Sequence, residues 1–516
     1  MKTDNGESIS VWMATPDTRA KPQLTSDIET DVCIIGAGIA GMTTGYLLAR
    51  EGQRVVVLDD GSVAGGETCR TTAHLVNAPD TYFSELEQLH GKHQARLAAE
   101  SHKEAIDKIE DITRREKISC NFRRLDGYLY TEPGEPTDTL ESELKAAHRA
   151  GLKDVALIDS VPLKSFETGP ALHFPRQGQF HILKYIKGLA RAIQRDGGRI
   201  YTRTHADEIE GLTDHSALVR TSNGVVVNAR AVVVATNSPV NDRVVIHTKQ
   251  APYRTYVIGA RVRRGRFPPV LLWDTSDPYH YVRVQPMSRT HDVLIVGGED
   301  HKTGQADDAD KRYQRLEKWM RERFPVAKKV EFRWSGQVME PVDGLAFIGQ
   351  NPLDEKSIFI ATGFSGTGMT YGTISGMLLT DLIQGRTNEW AELYDPSRVT
   401  PGSITEFAKE NLNVAAQYTE LVTPGEVESS RNVKRGRGAV LRRGLTKSVV
   451  YRDEQGVLDE HSAICPHLGC VVQWNSSEKS WDCPCHGSRY HRDGHVVNGP
   501  ANRGLGSLKI ETDSKR

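Results

Sequence analysis

Cys465-x-His467 and, fifteen residues on, Cys483-x-x-His486 set two thiols and two imidazoles in paired short loops near the end of the chain. Two thiolates on one iron and two neutral imidazoles on the other would hold a [2Fe–2S] cluster. Imidazole in place of thiolate removes negative charge and raises the reduction potential, to about −150 to +300 mV for centres of that kind. Zinc takes the same ligand types and is the competing reading. The Cys-His-Cys-His order, set in HLGC and CHGS, disfavours it. Four of the seven cysteines, Cys465, Cys470, Cys483 and Cys485, fall within 21 residues, which points to a metal site rather than a disulfide scaffold.

A second chemistry is written near the other end. DVCIIGAGIAG, residues 31–41, carries Gly36-Ala37-Gly38-Ile39-Ala40-Gly41, a GxGxxG turn after an apolar run. Gly36 would make the tight turn, Gly38 would admit a pyrophosphate to the backbone, and Gly41 would let helix and strand pack closely. Asp59 follows Gly36 by 23 residues, near the spacing of a ribose-binding carboxylate.

The elements that must position these groups are legible in outline. Residues 31–35 and 54–59 read as buried strands around a helix over 39–50, a βαβ unit. Residues 86–117 suggest one long surface helix. Further strands are expected at 225–228, 231–235, 256–262, 280–285, 293–296 and 358–361, with helices over 372–384 and 403–418. Composition shifts after about residue 400, and VTPGEVESSRNVKRGRGAV marks a boundary near 420–430. The 516 residues bear a net charge of −1, which gives no footing for nucleic acid. No run approaches a membrane span and no leader is visible, so a cytoplasmic protein is expected.

Several separated segments resemble FAD-dependent oxidoreductases of the D-amino-acid oxidase type, which include glycine and sarcosine oxidases. GGETCRTTAHL (65–75) is similar to the family segment along the flavin pyrophosphate and ribityl chain, and implies roles for Thr68, Arg70 and Thr71. ARAVVVATNSP (229–239) resembles the adenine-side turn, with Thr236. EPVDGLAFIG and IFIATGFSGTGMTYG (340–349 and 358–372) resemble the segment facing the isoalloxazine, with Gly363, Gly366, Gly368 and Met369. The resemblance covers roughly residues 28–395 and implies FAD. No second GxGxxG indicates a separate NAD(P)H site. Cys69 lies where a covalent flavin link is conceivable, but non-covalent FAD is the preferred reading.

The C-terminal loops resemble Rieske proteins of respiratory cytochrome complexes. That resemblance implies a disulfide between Cys470 and Cys485 clamping the ligand loops. It also implies that the Ser488 and Tyr490 hydroxyls donate to cluster sulfurs, and that residues 494–505, with Pro500, cover the cluster. The whole chain resembles a bacterial family in which the flavodomain is fused to a Rieske domain. The expected architecture is therefore an α/β Rossmann-like FAD-binding domain with an α+β substrate domain, plus a small all-β Rieske domain. Residues 1–420 form the oxidoreductase, with FAD-binding segments about 28–78, 170–245 and 335–395 and substrate segments about 79–169 and 246–334. Residues 421–430 link it to the Rieske domain, 431–516.

Strand residues 280–286 alternate, which sets Tyr281, Arg283 and Gln285 on one face. Arg283 is a candidate clamp for a substrate carboxylate, with Tyr281 beside it. His301, in the charge knot GGEDHK, is a further candidate, and His74 a weaker one. The expected activity is a dehydrogenase: a small amine or amino acid reduces FAD, and a high-potential cluster drains it to a protein or quinone acceptor. The alternatives are an electron-transfer module feeding a partner enzyme and a redox sensor without turnover.

Overall fold

The computed structural model describes residues 5–15, 20–163, 165–241 and 246–508. The Rieske segment expected over 431–516 therefore ends, at 509–516, outside the described residues.

Ile28–Ile35, apolar from Val32 onward, and the all-apolar Val55–Leu58 are short buried strands, and they pair in parallel, Ile35 opposite Leu58. The sheet they start has the order Phe347–Gln350, Ile358–Thr362, Val226–Val234, Ile28–Ile35, Val55–Leu58, Arg199–Tyr201. All neighbours are parallel except the antiparallel edge strand Phe347–Gln350. A hairpin, Ala206–Thr213 and Ser216–Thr221, extends it. The helices Ile39–Arg50 and Gly368–Ile383 lie against each other on this sheet, so two distant cofactor segments start side by side.

A nine-stranded sheet forms the second unit, built around Gln250–Arg263, His291–Lys302 and His280–Pro286. Val282 and Val284 pack with Leu316 and Met320 of the helix Ala309–Arg323. The alternate residues of that strand, Tyr281, Arg283 and Gln285, therefore face the opposite side, toward the first sheet. The C-terminal unit is all β: three strands, Arg437–Arg443, Thr446–Arg452 and Leu458–Ser462, and four shorter ones within residues 473–498. Among the described residues no helix is long and apolar enough to cross a membrane.

Three local expectations change. The long helix over 86–117 is two helices, Phe83–His90 and Lys92–Arg115, parted by Gly91 at φ 85°, a left-handed turn that glycine takes readily. The two strands expected at 225–235 are one, Val226–Val234. The strand at 293–296 runs on to Lys302, because its pairing with Gln250–Arg263 continues past the glycine pair Gly297-Gly298. Glu299 to Lys302 thus belong to a sheet and not to a loop.

Candidate active site and iron–sulfur centre

A cavity of about 530 Å³ opens where the two large sheets meet. At one end it is lined by Gly36, Gly38, Ile39, Ala40 and Asp59, together with Thr204, His205 and Thr236. Thr68, Arg70 and Thr71 follow along its wall, then Gly366, Gly368 and Met369, and Trp273, Tyr279 and Tyr281 at the far end. The predicted flavin segments thus converge on one space. Gly36 has φ 103°, and a Cβ on Gly41 would lie 1.9 Å from the Gly36 carbonyl oxygen, so helix and strand touch only because both are glycine. The Ile39 N–H donates to Thr68 Oγ1 at 3.0 Å, tying the second segment to the helix start. Asp59 accepts from the backbone N–H of Ala37 and of Gly61, at 2.7 and 2.9 Å, which fixes its carboxylate beside the glycine turn. Gly41 and Gly363 do not line the space. Gly363, at φ 73°, turns the chain beside Pro341. The cradle, the helix starts and the length of the wall fit FAD. Cys69 is fully buried with its sulfur on the carbonyls of Gly65 and Gly66, and it does not line the cavity.

The structure corrects the expected carboxylate clamp. Arg283 is 0% exposed and outside the cavity lining. Its guanidinium donates to the carbonyls of Thr72 and Ala73, at 3.0 and 2.6 Å, and to Gln285 Oε1 at 2.6 Å. Burial, and then Arg123, push its pKa down to about 9. It is a brace between segments, because its place on the inner sheet face meets backbone carbonyls rather than open space. His301 is also structural: its ring nitrogens meet the Tyr256 hydroxyl and the Lys302 carbonyl, at 3.0 and 2.7 Å. Tyr281 does line the cavity, with its hydroxyl 2.7 Å from Thr255 Oγ1. His74 lies edge-on to it at 5.7 Å, and burial followed by Arg283 holds its pKa at about 3, so the imidazole is neutral.

An acidic group that the sequence did not single out dominates this end. Asp80 Oδ2 accepts from Ser365 Oγ at 2.8 Å and from the Gly366 N–H at 2.5 Å. Glu340 Oε2 lies 2.6 Å from the same Ser365 hydroxyl. Burial raises both carboxyls, and the nearby Asp80 carboxylate helps push Glu340 to about 8. Asp300, from the charge knot, is pushed up to about 7 by burial. Asp80 is open to the cavity but enclosed by the surrounding protein, which is why its carboxyl is raised.

In the C-terminal unit the two ligand loops meet. The His467 and His486 rings are 4.9 Å apart at 86°. Both Cys465 and Cys483 are reduced and buried. Nδ1 of His486 is buried without a hydrogen-bond partner among the described residues, as suits a metal ligand. Cys470 and Cys485 are joined in a disulfide. Their sulfurs lie within 4.8 Å of that of Cys483, but bonded sulfurs are not thiolate ligands, which leaves Cys465, His467, Cys483 and His486. Two thiols and two imidazoles fit a [2Fe–2S] cluster of the Rieske type. The Tyr490 hydroxyl is 3.0 Å from Cys465 Sγ, and Ser488 Oγ accepts the Ala501 N–H at 3.0 Å.

The two units share a charged interface. Arg70 does not reach along the cavity: it donates to Ser8 Oγ, to the Ser335 carbonyl and, at 3.2 Å, to Glu478, both side chains of this ion pair being fully buried. Arg254 and Arg489 both face Asp482, at 3.5 and 3.2 Å. Asn502 donates to the carbonyls of Ala206 and Asp207, and residues 496–502 close the Thr204–His205 end of the cavity.

Comparison with known proteins agrees with this construction. Residues 31–382 match the family of FAD dependent oxidoreductases (DAO), and residues 423–509 match the Rieske [2Fe-2S] domain. YhfW of Bacillus subtilis, a Rieske 2Fe-2S iron-sulfur protein by name, is 31% identical over 97% of both chains. Gamma-glutamylputrescine oxidoreductase of Escherichia coli is 28% identical over 77% of this chain and 93% of its own. The fold matches that of glycine oxidase from Geobacillus kaustophilus with a TM-score of 0.59 at 20% identity, over 72% of this chain and 99% of that one. The chain belongs to the DAO-type FAD-dependent oxidoreductases and carries a C-terminal Rieske [2Fe–2S] domain.

Proposed function

We propose that this protein is a dehydrogenase of cationic amines that passes electrons through its Rieske domain to an external protein or quinone acceptor. The observation that carries the amine reading is the Asp80–Ser365–Glu340 group with Asp300 near it. One hydroxyl proton is shared by two carboxyls there, with the Gly366 N–H on Asp80 alone, so the pair is balanced when one carboxyl keeps its own proton or a cation joins them. An ammonium in the cavity supplies that cation. Among the described residues a substrate carboxylate finds no such partner at this end: Arg283 is withdrawn, Arg70 is committed to Glu478, and His74 is neutral. The relative that acts on gamma-glutamylputrescine, an amine, favours the same class.

FAD, when bound, takes up a hydride from the amine carbon, and the cluster, when bound, hands electrons on singly. The chain's own work would be to hold the ammonium at Asp80, to line that end of the cavity with Tyr281 and the neutral His74, and to keep water out. Tyr490 and Ser488 are assigned the tuning of the cluster by hydrogen bonds to sulfur.

The test is anaerobic mixing of the holoprotein with monoamines, diamines and amino acids, following flavin absorbance and the cluster's EPR signal. Amines should bleach the flavin and raise the EPR signal, and amino acids without a second amine should do neither. Flavin reduction by NADH instead of amines would overturn the reading in favour of a reductase module. Full-rate peroxide formation without another acceptor would make the protein an oxidase.

A further inference from the structure

His247 lies between the flavin cavity and the cluster ligands, and neither chemistry accounts for it. It is 2% exposed and opens the turn His247–Lys249 that feeds the strand Gln250–Arg263. Its ring stands edge-on to His467, with centroids 4.8 Å apart at 84°, and 6.1 Å from His486 at 62°. Aromatic rings favour this edge-to-face geometry over open stacking. Its Nδ1 lies 3.4 Å from Ser238 Oγ, and Ser238 follows Thr236 and Asn237 of the cavity wall. The surrounding contacts also come from the oxidoreductase part. Gln337 donates to the Gly487 carbonyl at 2.9 Å, Tyr418 donates to the Leu468 carbonyl at 2.7 Å, and Pro252 packs at Gly487.

We propose that His247 is the positioning residue that docks the flavin-binding part of the chain onto the imidazole edge of the iron–sulfur centre. The imidazole edge is thereby committed to the chain's own flavin site, and an external acceptor must approach the Rieske domain elsewhere. This rests on the proposed function only for the direction in which electrons enter.

The experiment compares wild-type, His247→Ala and His247→Phe holoproteins. Dithionite-reduced samples give the EPR g-values and the midpoint potential. Photoreduction of the flavin under anaerobic conditions gives the rate of cluster reduction. His247→Ala should shift the g-values and potential and slow flavin-to-cluster transfer by about tenfold or more, the scale on which small misplacements act. His247→Phe keeps the ring contact and should recover most of the rate. Wild-type g-values, potential and rate in His247→Ala would overturn the proposal. Should that variant load its cofactors poorly, His247→Asn must show the same slowing and shift, and wild-type values there overturn it equally. A wild-type protein whose photoreduced flavin leaves the cluster oxidised would overturn the proposed electron route, while the dithionite spectra would still decide the docking.

Discussion

Ser365 has one hydroxyl proton and two carboxyl neighbours, Asp80 and Glu340. Charge in this group is therefore set by pH and by what enters the cavity. With Glu340 raised to about 8 and Asp300 to about 7, the carboxyls are fully ionised only above about pH 8. Affinity for a quaternary ammonium inhibitor, whose own charge is fixed, should be highest there and fall as pH drops through 8 to 7. Fluorescence or calorimetric titration across pH 6 to 9 checks this, and a flat profile would remove the acidic group from substrate binding. Asp80→Asn should weaken a primary alkylammonium inhibitor, which can donate to the carboxylate, by about 10- to 100-fold, the range of a lost hydrogen bond to a charged group of ~1.5–3 kcal/mol. The linkage has the opposite sign for folding: a raised carboxyl holds its proton in the native state, so the empty protein loses stability as pH rises from ~4.3 toward 8, and a bound cation restores it. At the cluster the relevant residue is Tyr490. Its hydroxyl, 3.0 Å from Cys465 Sγ, favours the reduced and more negative cluster, so Tyr490→Phe should lower the midpoint potential in a redox titration while cluster content is unchanged.

Elements carried most of what could be read in advance. The strand–turn–helix around Gly36 to Gly41 was legible because every part of it lies between residues 28 and 50 and glycine has few other reasons to repeat there. A methyl group on Gly41 would strike the Gly36 carbonyl at 1.9 Å. Gly41→Ala should therefore push the helix Ile39–Arg50 off its strand, cost about 1–3 kcal/mol as overpacking does, and lower FAD content, as read by thermal melting and by the flavin-to-protein absorbance ratio. The paired ligand loops were legible for the same local reason. Arg283 was not: alternation gave its face correctly, but the carbonyls that neutralise that face belong to Thr72 and Ala73, about two hundred residues away. Asp80 sits in a plain loop, NAPDTYF, and only the distant Ser365 gives it meaning. Gly91 shows the converse, a helix break marked by a visible glycine that the expectation of one helix over 86–117 passed over.

At the scale of the whole molecule the two redox units are held together by charge. Arg70, Arg254 and Arg489 are buried with Glu478 and Asp482 between the sheets, and the half-buried Glu67 stands beside Arg489, three cations with three anions. Burial alone would raise the Glu478 carboxyl, but Arg70, Arg254 and Arg489 bring it down to about 2. The sign follows: a depressed carboxyl contributes stability that is complete above its unfolded pKa of ~4.3 and is lost as pH falls toward 2. Glu478→Gln leaves three guanidiniums with two carboxylates, one of them the half-buried Glu67. Breaking a buried pair from one side costs about 3–5 kcal/mol, whereas replacing both partners by apolar residues is often nearly neutral. Arg70→Met with Glu478→Leu leaves two cations with two anions, and should be the milder change although it alters more atoms. The cycle is read by thermal unfolding and by proteolysis between residues 422 and 430, with cleavage fastest in Glu478→Gln. Equal or greater undocking in the double variant would mean that shape, and not charge balance, keeps the Rieske domain against the mouth of the flavin cavity.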